Sequence, residues 1–189
     1  MFKKADSDRF SRQGMKYKTL DKNSQTEVAS LFMSVFTSSE GEEEGKLIGS
    51  LASELSSNID NEEIFCFGAY EEESLIASIF FTRLRFSDPI LVYMLAPVSV
   101  STENQGKGVG KALIKYGLNE LKNRSVAVAI TYGDPSFYSK VGFQPLSEDT
   151  IKAPVKLSID KNFLFVGRSI LSRHLYVKKI LATRCGVRR

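Results

Sequence analysis

The chain has little cysteine, a single histidine and no long apolar run. Cys66 and Cys185 lie far apart and fit neither a metal-binding nor a CxxC spacing. They read as buried or incidental thiols in a reducing, cytoplasmic setting, and no metal ligand set is expected. His174 is the only histidine and reads as a surface residue rather than a catalytic base. No apolar stretch approaches the roughly 20 residues that span a bilayer, so no membrane partner is expected. The opening stretch MFKKADSDRFSRQG is charged and lacks the apolar centre of a signal peptide. Residues 1–14 are expected to form a disordered leader, with Met15 an alternative start. There are no internal repeats. The 189 residues suffice for one domain with a sizeable core.

Acidic residues are missing from one end. After Asp160 the chain has none, while Lys161, Arg168, Arg173, Lys178, Lys179, Arg184, Arg188 and Arg189 supply eight positive charges. The whole chain carries +4, so residues 1–160 carry −4. The basic pI of about 9.0 therefore belongs to the end of the chain, not to its body. A nucleic-acid or membrane tail would show aromatic interleaving or a known module, and neither accompanies the charge. Residues 158–189 are read as a solvated basic segment, and nucleic acid is not the expected partner.

What is present is a patterned α/β chain. KYKTL (16–20) alternates like a strand. Val28, Leu31, Phe32, Val35 and Phe36 recur at helical spacing, with Asn23 or Ser24 as cap and Glu27 in the first turn. GEEEG (41–45) reads as a solvated loop. Leu47, Ile48, Leu51 and Leu55 mark a second helix ending near Asn58. Three strands are expected next, at 64–70, 75–86 and 90–100, joined by turns at EEES and SDP. The third is apolar on both faces, as a central strand should be. Pro97 within it cannot donate to a ladder, which implies a bulge or a local break. Residues 111–123 form a helix with Val109, Ala112, Leu113, Tyr116 and Leu121 on one face and Lys111, Lys115 and Lys122 on the other. VAVAIT (126–131) reads as a buried strand. A turn, a short helix begun by Pro135 and a strand entered at Phe143 follow. KAPVKLSI (152–159) offers a last strand and 171–181 a short amphipathic helix. Hairpin-linked strands followed by one βαβ crossover make a mixed sheet with helices on its faces.

Residues 98–112, VSVSTENQGKGVGKA, place three glycines between an apolar strand and a helix. A Walker A loop fails here at two positions: Gln105 stands where the first glycine belongs, and Ala112 where the magnesium-binding hydroxyl belongs. A Rossmann fingerprint loses its third glycine to Lys111 and would belong to an early βαβ unit. The pattern Q-x-x-G-x-G is satisfied by Gln105, Gly108 and Gly110. Its physics is clear: a helix start leaves backbone N–H groups free and carries about half a positive charge. Successive amides from Gly106 to Lys111 can converge on a pyrophosphate, and glycine removes the Cβ that would hold it away. Lys107 and Lys111 add positive charge. Glycine inside a helix start costs about 0.5–1 kcal/mol, which a bound ligand would offset.

The Gln105–Gly110 loop, the preceding LAPVSVSTEN, the GDPSFYSKVGF segment (133–143) and the element order together resemble the GNAT superfamily of N-acetyltransferases. The resemblance covers about residues 16–146 and is closest to small bacterial members with a GDPxxY segment. It implies an acyl-CoA N-acyltransferase fold over 15–157, with the central strands splayed at a bulge. Acetyl-CoA is the implied cosubstrate and an amine, of a small molecule more readily than of a protein, the acceptor. The implied cofactor contacts are Val98, Ser99 and Val100 as a strand edge for the pantetheine arm, Gln105, Gly106, Lys107, Gly108, Val109, Gly110 and Lys111 for the pyrophosphate, and Tyr138 beside the sulfur. Tyr138 is the implied general acid, and its phenol, with an ordinary pKa of about 10, can protonate a CoA thiolate. The Val98 N–H is the implied oxyanion donor.

No residue declares itself as the base. Glu71, Glu72 and Glu73 could line a substrate mouth but suit an exposed turn. Asp134 could bind cofactor or substrate but suits an N-cap. Residues 37–60 are the expected wall of the acceptor pocket, and a homodimer is compatible. The competing reading is a non-catalytic acyl-CoA-binding sensor.

Overall fold

The computed structural model describes residues 14–86, 89–146 and 164–170. Seven strands, β1 (Met15–Leu20), β2 (Ile64–Glu71), β3 (Ser74–Leu84), β4 (Val92–Val100), β5 (Val128–Gly133), β6 (Gln144–Pro145) and β7 (Leu164–Ser169), form one sheet in the order β1-β2-β3-β4-β5-β7-β6. Four α-helices accompany it: α1 (Gln25–Glu40), α2 (Glu42–Ser57), α3 (Val109–Asn123) and α4 (Pro135–Tyr138). β4 and β5 run parallel, while β1–β2, β5–β7 and β6–β7 run antiparallel. This is the mixed sheet with one βαβ crossover that the element order predicts. The described residues fall into two compact units. One holds the residues up to Phe81 with Pro97–Gly117, the other Thr82–Ala96 with the residues from Leu118 onward.

In the first unit, α1 buries Val28, Phe32 and Val35, one helical face at i, i+4 and i+7. Phe32 meets Phe80 of β3 at 5.8 Å between ring centroids, in a cluster with Leu20, Ala52, Ile59, Cys66 and Tyr70. Full burial of each such ring contributes about 1.5–3 kcal/mol. A second aromatic layer packs Phe67 edge-on to Phe81 and to Tyr116 of α3. Gly117 allows that approach: a Cβ there would stand 2.9 Å from both the Phe67 and Phe81 rings. Of the five predicted apolar positions of α3, Val109, Leu113 and Leu121 are buried and Ala112 and Tyr116 half-buried, while Ile114 and Leu118 are buried besides.

The acidic run 41–45 is not a loop. Glu42, Glu43 and Glu44 form the first turn of α2, where carboxylates meet the positive end of the helix dipole. Gly45 lies against α1 so closely that a Cβ would fall 1.9 Å from Thr37 Oγ1. The predicted cap also moves. Ser24 makes no side-chain cap, and Asp21 instead accepts from the Asn23 amide at 2.9 Å, opening a 3-10 turn ahead of α1.

In the second unit, Val92, Val128 and Ile130 form a core with Leu84, Phe86, Ile90, Met94 and Leu146 around it. β4 pairs with β5 over Val92↔Val128, Tyr93↔Ala129 and Met94↔Ile130. At the next position the Leu95 carbonyl accepts from the Thr131 hydroxyl at 2.7 Å, and Thr131–Gly133 continue along β7. β5 thus runs two residues later than the predicted strand. β7 lies inside the segment read as a basic end, between β5 and β6. Residues 1–13 of the predicted 1–14 leader, Ser87 and Asp88 of the SDP turn, the strand at 152–159, the helix at 171–181, His174 and Cys185 lie outside the described residues.

Candidate functional site

The glycine stretch is built as a tethered loop running into α3. The Ser101 amide donates to the Ile76 carbonyl of β3 at 2.8 Å, which fixes where β4 ends. Thr102–Asn104 make a 3-10 turn, closed by the Asn104 amide on the Ser101 carbonyl at 2.8 Å. Asn104 is buried and its Nδ2 donates to Ser101 Oγ at 3.1 Å, while Lys107 Nζ donates to Asn104 Oδ1 at 3.3 Å. Gln105 turns back, its Nε2 donating to the Val100 carbonyl at 3.0 Å. The first residue of the Q-x-x-G-x-G pattern therefore locks the loop to the end of β4. Ser101 and Asn104 were not singled out from the sequence; their signal is a Ser-x-x-Asn turn pattern ahead of the glycines.

Gly106 and Gly108 have φ of +71° and +85°. Side-chain-bearing residues adopt that region only rarely, so glycine suits the loop's path as well as close access to its backbone. A Cβ on Gly106 would meet no protein atom within 4 Å, so this part of the loop faces open space. α3 then begins at Val109, and the Ala112 amide reaches the Gly108 carbonyl at 3.1 Å. The first turn of α3 has no acidic residue, which leaves the positive end of its dipole uncancelled, with Lys111 beside it. On β4, Val98 and Val100 are half-buried and Ser99 is buried, its Oγ without a hydrogen-bond partner among the described residues.

Tyr138 lies in the second unit, at the end of α4. Asp134 caps that helix: Oδ1 accepts from the Ser136 amide at 2.8 Å and Oδ2 from the Ser136 hydroxyl at 2.6 Å. Of the two predicted uses of Asp134, the geometry has it as the cap. The Tyr138 ring edge rests on Gly133, where a Cβ would fall 2.5 Å from Cε2. Phe137 and Phe143 present their rings edge-on at 5.1 and 5.6 Å. Burial pushes the phenol above its ordinary 10.0, against an opposite pull from the Thr131 hydroxyl. A raised pKa keeps Tyr138 protonated at neutral pH, the state a general acid needs.

The other candidates are placed apart from such chemistry. Glu71, Glu72 and Glu73 are exposed at the β2–β3 turn, with Glu73 3.5 Å from Lys16 Nζ. Burial pushes the Cys66 thiol up to about 12, so it is a packed side chain rather than a nucleophile. Among the described residues no group of three or more His, Cys, Asp and Glu could hold a metal ion, and no helix is long and apolar enough to cross a membrane.

A family model described as an acetyltransferase (GNAT) domain matches residues 16–146. The chain belongs to the GNAT acetyltransferase family. The match covers the same span as the sequence resemblance and takes in both the glycine loop and Tyr138. A curated relative, the uncharacterized N-acetyltransferase YjhQ of Escherichia coli (strain K12), is 35% identical over 81 residues, which are 41% of this chain and 45% of that one. The match thus spans less than half the length of that curated relative. Among solved structures, the GNAT family N-acetyltransferase YhbS from Escherichia coli in complex with CoA superposes with a TM-score of 0.66 at 18% identity, over 85% of this chain and 83% of that one. A GNAT family acetyltransferase from Brucella melitensis in complex with acetyl-CoA gives 0.57 at 23% identity, over 70% and 84%.

The GNAT segment around Tyr138 has a pH signature of its own. The Ser136 hydroxyl, and after it the Ser136 amide, hold the Asp134 carboxyl below its ordinary 3.8. A depressed folded-state pKa contributes stability above the unfolded value, and that contribution disappears as pH falls through the folded one. Asp134→Ala is therefore expected to melt below the wild type at neutral pH. The gap should close as the pH falls below 3.8, which thermal melts across pH will read.

Proposed function

We propose that this chain is an acetyl-CoA-dependent N-acetyltransferase that moves acetyl to a primary amine, of a small molecule, by direct attack on the thioester. The observation that carries the reading is the glycine loop: two left-handed glycines, an open face at Gly106, and an acid-free helix start immediately after. These features fit a diphosphate, because converging amides and a helix dipole favour an anion that can approach the backbone closely. The matching CoA and acetyl-CoA complexes of structural neighbours support the same cosubstrate.

Each part has an assigned role. The amides from Gly106 to Lys111 bind the pyrophosphate, with Lys107 and Lys111 adding charge. Gln105 holds the loop against Val100. The edge of β4 at Val98, Ser99 and Val100 offers main-chain groups to the pantetheine amides, as an added strand would. The bound cosubstrate supplies an acetyl group activated as a thioester. The Val98 N–H stabilises the charge that develops on the acetyl oxygen, and Tyr138 delivers a proton to the departing sulfur. Residues 37–60, with Leu47 and Leu51 exposed on α2, form the acceptor wall.

The test is an acetyl-CoA assay across a panel of amines, reading free thiol, beside calorimetry with CoA. Thiol release above blank with at least one amine is expected. CoA binding without release for any amine would replace the enzyme with a sensor. No CoA binding by folded protein would remove the reading altogether.

A further inference from the structure

Arg168 comes from the segment read as a solvated basic end, yet it is half-buried on β7, where the ladder with β5 sets it opposite Ala129. Its Nη1 donates to the carbonyl of Val141, a buried residue. The rest of the guanidinium lies against Gly142: a Cβ there would meet Nη1, Cζ and Nε at 3.1, 3.2 and 3.3 Å. Gly142 has φ of +86°, so the chain reverses in a left-handed conformation that favours glycine, directly under the cation. The next residue closes on Tyr138 twice. The Phe143 amide donates to the Tyr138 carbonyl at 3.1 Å, and the Phe143 ring meets the Tyr138 ring edge-on.

We propose that Arg168 is a positioning residue for Tyr138. It holds Val141 and Gly142 from β7, they set Phe143, and Phe143 with Gly133 fixes where the phenol stands. The proposal rests on the reading of Tyr138 as the general acid. No carboxylate neutralises Arg168 among the described residues, and burial draws its pKa below the ordinary arginine value, though a guanidinium stays charged at neutral pH. A planar fork suits this place better than an ammonium, because it lies flat on Gly142 while donating sideways to the carbonyl.

The experiment compares the full chain as wild type, Arg168→Lys, Arg168→Met, Tyr138→Phe and the Arg168→Met/Tyr138→Phe double variant. Arg168→Met should lower kcat about 10- to 100-fold, since small misplacements of a reacting group are costly, with KM for acetyl-CoA changed by no more than about twofold. Arg168→Lys should recover part of that loss. In the Tyr138→Phe background, Arg168→Met should cost no more than about twofold, because its effect passes through the missing hydroxyl. Losses that multiply in the double variant, or a full kcat in Arg168→Met, would overturn the proposal. The second readout needs no turnover: in protein with 13C-labelled tyrosine rings, Arg168→Met should shift or broaden the Tyr138 signal, identified by its loss in Tyr138→Phe. An unmoved Tyr138 signal overturns the positioning role. A wild-type rate in Tyr138→Phe, or no thiol release by the wild type, instead removes the functional reading and leaves the ring signal to decide the positioning.

Discussion

Replacing Tyr138 with Phe is expected to lower kcat by roughly 10²- to 10⁴-fold, the range for a positioned acid, and to leave CoA affinity unchanged. The substitution removes one oxygen and keeps the ring. The packing on Gly133, Phe137 and Phe143 involves only that ring, so the turn should hold. The loss should also carry a pH signature. Burial raises the phenol above 10.0, so the acid form persists past the ordinary tyrosine range and turnover should fall only as pH climbs through the raised value. Tyr138→Phe should have no such alkaline limb. The linked stability has the same sign: it is complete below the unfolded value near 10.0 and is lost as pH rises through the folded one. Rates from pH 6 upward, with CoA titrations on the same proteins, check this. A variant as fast as the wild type would end Tyr138's role.

Gly106→Asn is expected to weaken CoA binding about 10- to 100-fold while leaving the melting temperature close to that of the wild type. The two effects separate because the position makes two demands. Its φ of +71° is one that Asn tolerates better than other side-chain-bearing residues, and the added Cβ meets no protein atom within 4 Å. Folding therefore loses little. A diphosphate approaching the amides would meet the new side chain, and one displaced charge-assisted hydrogen bond is worth about 1.5–3 kcal/mol, or about 10- to 100-fold in Kd. Gly106→Val adds β-branched strain at positive φ and should lose stability as well as affinity. Calorimetry with CoA beside thermal melts distinguishes the cases. An unchanged Kd in folded Gly106→Asn would place the diphosphate elsewhere.

The parts of this protein that were legible as sequence are those whose causes lie within a few residues. The loop is one: Gln105, Gly108 and Gly110 fall within six consecutive positions, and the helix they introduce shows its own periodicity. The Pro135 start and the Asp134 cap are equally local. Failures follow the same logic. Glu42–Glu44 look like a solvated loop until Gly45 is pressed against Thr37 of the preceding helix, which sequence spacing does not report. Val126 and Ala127 have strand-like side chains, but the strand is counted from the ladder, and that begins at Val128.

The sequence by itself determined the family, the order of elements as far as β6 and the loop that suits a diphosphate, because hydrophobic period, glycine placement and helix polarity act over one or two turns of chain. Only the tertiary structure decided that β7 enters between β5 and β6, that Gln105 is spent on Val100, and that Arg168 reaches Val141 across 27 positions of chain. Such choices depend on which distant backbone groups arrive unsatisfied beside a side chain, and burial settles them because an unpaired polar group away from water is costly.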